Sequence, residues 1–236
     1  MSKTALITGG TKGIGLGIAR SLLTDGYNIA ITGRSAETAT AVANELNTEF
    51  GSNRVIGIEC DVRSFESQAS CVDQTLSTFG SVDVLIANAG VGHFASIEDM
   101  SIDQWNSTID TNLTGVFYSI KASLEALKQS QGYIITIASL AGTNFFAKGS
   151  AYNASKFGVV GFTQSVMLDV RNHGIKVTTI MPGSVSTYFN GHIPSEADAW
   201  KIQPEDLGQM VSDLLKINPR TLPSKIEVRP SIPGGK

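Results

Sequence analysis

Cysteine and histidine are scarce in this chain, with two and three among 236 residues. Cys60 and Cys71 are too few for a disulfide framework, and no residues around them complete a metal-ligand spacing. They are read as two small core hydrophobes, and no metal is expected. Positive charge in runs is also missing. A net charge of −3 and a pI near 5.6 give no basic footprint for nucleic acid or for an anionic membrane surface. There is no long hydrophobic run either. The opening "MSKTALITGG" has an apolar stretch of strand length only, neither a secretory signal nor a membrane span, so a cytoplasmic location is expected. Asn106, Asn112 and Asn153 match the glycan acceptor pattern but are read as coincidence or as having other tasks. Repeats, low-complexity stretches and a Pro/Gly/Ser-rich linker are all absent, which points to one domain over 1–236.

Present instead are 42% hydrophobic residues, enough for a full core in a chain of this length. Strand-like runs fall at Thr4–Thr8, Asn28–Thr32, Val55–Cys60, Val82–Asn88, Tyr133–Ala138, Lys176–Met181 and Ile226–Val228. Several are continuously apolar, as parallel strands covered on both faces require. Amphipathic stretches alternate with them near Ile14–Asp25, Ala36–Phe50, Phe65–Phe79, Ser101–Lys128, Ala151–His173 and Glu205–Ile217. Ser35 is placed to cap the second, and Pro204 to begin the last. The pattern predicts an α/β, Rossmann-like, doubly wound fold: a mostly parallel seven-stranded sheet with helices on both faces.

The first strand runs into "TGGTKGIG", Thr8 to Gly15, and then into a helical pattern. Glycines here permit a tight turn and close approach to a pyrophosphate, whose charge a helix N-terminus favours. The spacing differs from the literal G-x-G-x-x-G fingerprint. After the second strand comes "ITGRS", with Arg34 and no acid at the strand tip. An acid there would suit a ribose 2′-hydroxyl, whereas a cation suits a 2′-phosphate. Arg34, joined by Lys12 from the glycine loop, favours NADPH/NADP+ over NADH. Further on, "AYNASKFG" sets Tyr152 and Lys156 one helical turn apart. Such a pair can be a solvated surface contact, or an ammonium that makes the phenol a better acid.

Taken together, these motifs resemble the short-chain dehydrogenase/reductase family over nearly the whole chain. They are "TGGTKGIG", "CDV" at Cys60–Val62, "ANAG" at Ala87–Gly90, "DTNLTG" around Asn112, "IASLAG" around Ser139, "YNASK" at Tyr152–Lys156 and "MPGSVST" at Met181–Thr187. The resemblance implies cofactor contacts from Gly9, Thr11, Lys12, Gly13, Ile14 and Gly15 in the first loop, and from Arg34 after the second strand. Asp61 and Val62 would meet the adenine, and Asn88, Ala89 and Gly90 the adenosine ribose. Pro182, Gly183, Val185 and Thr187 would cradle the nicotinamide. Asn112, Ser139, Tyr152 and Lys156 match the catalytic tetrad: Tyr152 the proton donor, Ser139 the donor to the substrate oxygen, Lys156 the electrostatic partner and ribose ligand, Asn112 the holder of a relay water.

Substrate walls are expected from loops beyond the strand ends. They offer His93 and Phe94, then Thr143, Phe145 and Phe146, then Tyr188, Phe189 and Trp200 within a substrate loop at about 184–204. The implied function is reduction of a small-molecule ketone or diketone. A looser resemblance, through "NAGVGHF", "QPEDLG" and "EVRP", to bacterial sepiapterin-reductase-like proteins and small diketone reductases adds a pterin side chain as a candidate. Weighed against this are a 3-oxoacyl-carrier-protein reductase, a longer sugar-nucleotide epimerase, and a non-enzymatic NADP(H)-sensing regulator. The family resemblance also implies a homodimer or homotetramer.

Overall fold

The computed structural model describes residues 2–51 and 53–232; residues 1, 52 and 233–236 of the expected domain lie outside that range. Seven strands, β1 (Thr4–Ile7), β2 (Asn28–Gly33), β3 (Val55–Glu59), β4 (Val84–Ala87), β5 (Tyr133–Ile137), β6 (Lys176–Pro182) and β7 (Lys225–Val228), form one sheet. Its order is β3-β2-β1-β4-β5-β6-β7, and all six pairings are parallel. The chain winds outward from β1 to β3, then returns to place β4 beside β1. That reversal opens a crevice beyond the carboxyl ends of the two central strands, where ligands of such sheets bind.

The apolar runs are explained by burial on both sides. Every residue of β1 and of β5 is buried. Alternation then sends neighbours to opposite faces. Ile7, Ile86 and Ile135 join one core with α1 (Gly13–Thr24), α2 (Ala36–Phe50) and α7 (Pro204–Lys216). Leu6, Leu85 and Ile134 join the other with α3 (Phe65–Phe79), α5 (Gly115–Ser130) and α6 (Ser150–Val170). Ser35 Oγ accepts from Thr38 N at 3.3 Å to cap α2. Pro204 opens α7, where its missing N–H has no intrahelical partner to lose.

The stretch Ser101–Lys128 is not the single helix its pattern predicts. It divides into α4 (Ile102–Ile109), a π segment (Asp110–Thr114) and α5. The wider turn carries Asn112, whose side chain is buried and anchored to Val91. The break is one of backbone hydrogen bonding, which apolar spacing over so short a stretch does not report. Likewise α6 ends at Val170 and passes through a 3-10 turn (Arg171–His173) to Gly174 at φ +76°.

Helices α1 and α7 meet through glycines. A Cβ on Gly17 would collide with the Pro204 carbonyl, and one on Gly208 would lie 2.5 Å from Gly17 O. Among the described residues no helix is long and apolar enough to cross a membrane.

Candidate active site

The crevice is a cleft of about 1120 Å³, running from the tip of β2 past the glycine turn to the loops after β4, β5 and β6. Gly9 and Gly13 adopt φ of +63° and +57°, which side-chain-bearing residues rarely take. A Cβ on Gly13 would lie 3.2 Å from Thr187 Cγ2, so the bare backbone leaves the channel open between the turn and the β6 loop. Gly15 does not line the cleft. It packs beneath the turn, where a Cβ would sit 2.5 Å from Gly9 O.

Asn88 stitches this turn to β4. Its Nδ2 donates to Thr8 O and Gly9 O at 2.9 and 3.0 Å. The backbone N–H groups of Asn88 and Ala89 donate to Thr8 Oγ1 at 3.0 and 3.2 Å. At the β2 end, Arg34, Asp61 and Val62 line the cleft, and Lys12 lines it from the glycine turn. Arg63 lies with them, its Nη2 2.6 Å from Asp61 Oδ2. That pairing holds the Asp61 carboxyl below its usual range, burial acting the other way. Lys12 Nζ rests 5.9 Å from the Tyr188 ring centroid.

At the opposite end α6 presents Tyr152 and Lys156. Lys156 is 5% exposed, and its Nζ donates to Ile137 O at 2.9 Å. Burial pushes its pKa down to about 8. The ammonium lies 5.7 Å from the Tyr152 ring centroid. Burial raises the phenol's pKa, and the Ser139 hydroxyl pulls it back. Burial thus favours the protonated phenol. Ser139 also caps the short turn after β5, accepting from Ala141 N at 3.1 Å.

Asn112 is wholly buried and committed. Both amide hydrogens are used, by Val91 O at 2.8 Å and Ser155 Oγ at 3.0 Å, while Oδ1 accepts from Val91 N at 2.8 Å. A Cβ on Gly90 would lie 3.4 Å from Asn112 Oδ1 and 3.8 Å from Lys156 Nζ, so glycine there leaves a gap between them. Asn153, inside the "YNASK" motif, donates to Ala141 O and Asn144 O at 2.7 and 2.8 Å, holding the loop after β5 onto α6.

The aromatic wall is only partly the one expected. Phe94 and Phe189 stand 5.4 and 5.7 Å from the Tyr152 ring, centroid to centroid, and Phe146 backs Phe94 at 5.8 Å. His93 and Tyr188 line the cleft, together with Pro182, Gly183, Val185 and Thr187. Phe94, Thr143, Phe145, Phe146 and Trp200 do not. Phe145 is 86% exposed, and Trp200 packs under its own neighbour Lys201. Arg63, His192 and Lys201 line the cleft without having been expected there. "CDVR" offered Arg63 two places after Asp61, whereas nothing in sequence separates His192 and Lys201 from surface residues.

A profile of the short chain dehydrogenase family matches residues 3–198. A trans-4-hydroxycyclohexanecarboxylate dehydrogenase of Sinomonas cyclohexanicum is 36% identical over 216 residues, 87% of this chain and 83% of that protein. An alcohol dehydrogenase of the archaeon Thermococcus sibiricus, solved with 5-hydroxy-NADP, superposes with a TM-score of 0.92 at 30% identity over 100% of both chains. An actinorhodin polyketide ketoreductase variant solved with NADPH gives 0.87 at 32% identity, over 97% of this chain and 96% of its own. The chain belongs to the short-chain dehydrogenase/reductase family. It is an oxidoreductase of the CH–OH/C=O pair, with a fold that takes a nicotinamide dinucleotide.

Proposed function

We propose that this protein is an NADPH-dependent carbonyl reductase in which Tyr152 protonates the oxygen of a ketone. The observation that carries the reading is the meeting of two hydroxyls, Tyr152 and Ser139, with a buried ammonium behind them, at one end of the glycine-turned cleft. The cleft's fit to the dinucleotide is supported by the bare backbone at Gly9 and Gly13, by Arg34 at its β2 end and by Lys12 in the glycine turn. Two of the similar structures are described with NADP-type cofactors.

The bound cofactor supplies the hydride. Arg34 and Lys12 neutralise a 2′-phosphate, and the Asp61–Arg63 pair with Val62 walls the adenine. Thr11, Ile14 and the 88–90 stretch border the cofactor's middle, while Pro182, Gly183, Val185 and Thr187 hold its nicotinamide end. Lys156 meets the adjoining ribose hydroxyls. Ser139 donates to the substrate oxygen, fixing it where negative charge develops. Tyr152 then gives that oxygen its proton. Its raised pKa keeps the proton on the phenol until it is needed, which suits the direction of reduction. Lys156, already poised near pH 8, returns a proton through the gap at Gly90. Asn112 has no free amide hydrogen, so a relay water is left its remaining Oδ1 lone pair.

Tyr152→Phe tests the assignment. Removal of a general acid predicts a loss of about 10²–10⁴-fold in kcat. NADPH affinity, read by fluorescence titration, should be retained. Turnover persisting at the wild-type rate would remove Tyr152 from the chemistry.

A further inference from the structure

The segment between β6 and α7 is closed on itself. At its neck Ser186 N donates to Ile202 O at 2.9 Å, and Ile202 N to Ser184 O at 3.1 Å. Inside it lies Asp198, whose side chain is 7% exposed. Its Oδ1 meets Lys201 Nζ at 2.5 Å, and its Oδ2 meets His192 Nε2 at 2.5 Å and Ser195 N at 3.3 Å. Lys201 and His192 face the cleft; Asp198 does not.

This corner adjoins Phe189. His192 N donates to Phe189 O at 3.2 Å, and the Phe189 ring stands 5.7 Å from that of Tyr152. Among the described residues lining the cleft the sole carboxylate is Asp61, already paired to Arg63. Lys12 and Arg34 serve the cofactor reading and Lys156 the chemistry. Lys201 and His192 have no assigned task.

Asp198 is held from two sides, by the Lys201 ammonium and by the His192 ring. A carboxylate beneath them orients both heads, so little side-chain freedom remains to be lost when an anion binds. Lys201 keeps 19% of its side chain exposed and has N–H groups beyond the one Asp198 takes.

We propose that Lys201, with His192 beside it, is the carboxylate-binding corner of the substrate site, and that the substrate class is an oxo acid or its hydroxy-acid product. The carbonyl lies at Tyr152, a small ring or short chain packs on Phe189, and the carboxylate rests on Lys201. The inference rests on the reductase reading above.

The test is steady-state reduction with NADPH of 4-oxocyclohexanecarboxylate, its methyl ester and cyclohexanone. Wild-type protein should prefer acid over ester in kcat/KM by about tenfold or more, the range of one charge-assisted hydrogen bond. Lys201→Met combined with Asp198→Asn removes both charges without stranding a buried carboxylate. It should raise KM for the acid until the preference disappears, with the NADPH Kd held within about twofold. Lys201→Arg should keep the preference. Equal use of acid and ester by the wild type, or a preference that survives the double substitution, overturns the proposal. So does a loss of NADPH affinity in its place, which would assign the ammonium to the cofactor's phosphates. Cyclohexanone turnover without acid preference leaves the reductase reading standing, whereas reduction of none of the three removes both.

Discussion

Replacing Lys156 with methionine should make the cofactor-free protein more stable while removing its activity. The ammonium is 5% exposed, and its one recorded hydrogen bond goes to Ile137 O. Its pKa falls from 10.5 to about 8, and burial is the cause. At neutral pH, where the group is charged in both states, that shift corresponds to about 3 kcal/mol against folding. Methionine fills a similar length without charge. It leaves Ile137 O without its partner, which costs about 1–2 kcal/mol. The net gain is about 1–2 kcal/mol, and each kcal/mol raises Tm by about 2–4 °C in a protein of this size. The pH dependence carries a sign. The folded pKa is depressed, so between about 8 and 10.5 the unfolded chain binds more protons than the folded one. Wild-type stability from this group therefore rises with pH across that window, and the variant's advantage shrinks. Calorimetry of both proteins without cofactor, at neutral pH and at steps through the window, measures both effects. A variant melting no higher than wild type at neutral pH, or a gap that ignores pH, would refute the reasoning.

Three further outcomes are expected. Arg34→Ala should weaken NADPH binding by about tenfold or more while NADH changes little, since the 2′-phosphate alone loses a charged partner; fluorescence titration with both cofactors checks it, and equal losses contradict it. Asn112→Ala strips partners from both polar groups of Val91 and from Ser155, so denaturant melts should show a loss of about 2–4 kcal/mol; unchanged stability would mean the side chain serves only a water. Gly17→Ala forces a methyl against the Pro204 carbonyl, and should cost about 1–3 kcal/mol in the same melts.

The sheet was legible because its strands are buried on both faces, so apolar runs such as "ALI" and "YIITI" stand out unbroken. The glycine turn was legible because positive φ at Gly9 and Gly13 demands that residue. The break at Asp110–Thr114 was not, since it lies in the backbone hydrogen bonding, which apolar spacing over so short a stretch does not report. The aromatic loops were legible in composition but not in direction: Phe94 turns in to Tyr152, whereas Phe145 turns out to solvent. Lys201 was invisible for a different reason. A lysine ordered by a buried aspartate three residues earlier looks, in sequence, like any exposed i, i+3 pair.

The glycine contact between α1 and α7 has a consequence for how this enzyme can change. Helix α1 begins at the cofactor turn, and Pro204, the residue that Gly17 must spare, closes the loop carrying Lys201. Enlarging either glycine displaces the joint that both loops hang from. Cofactor choice and substrate choice are thus mechanically yoked, and variants selected for a new substrate should carry compensating changes along α1, far from any atom the substrate touches.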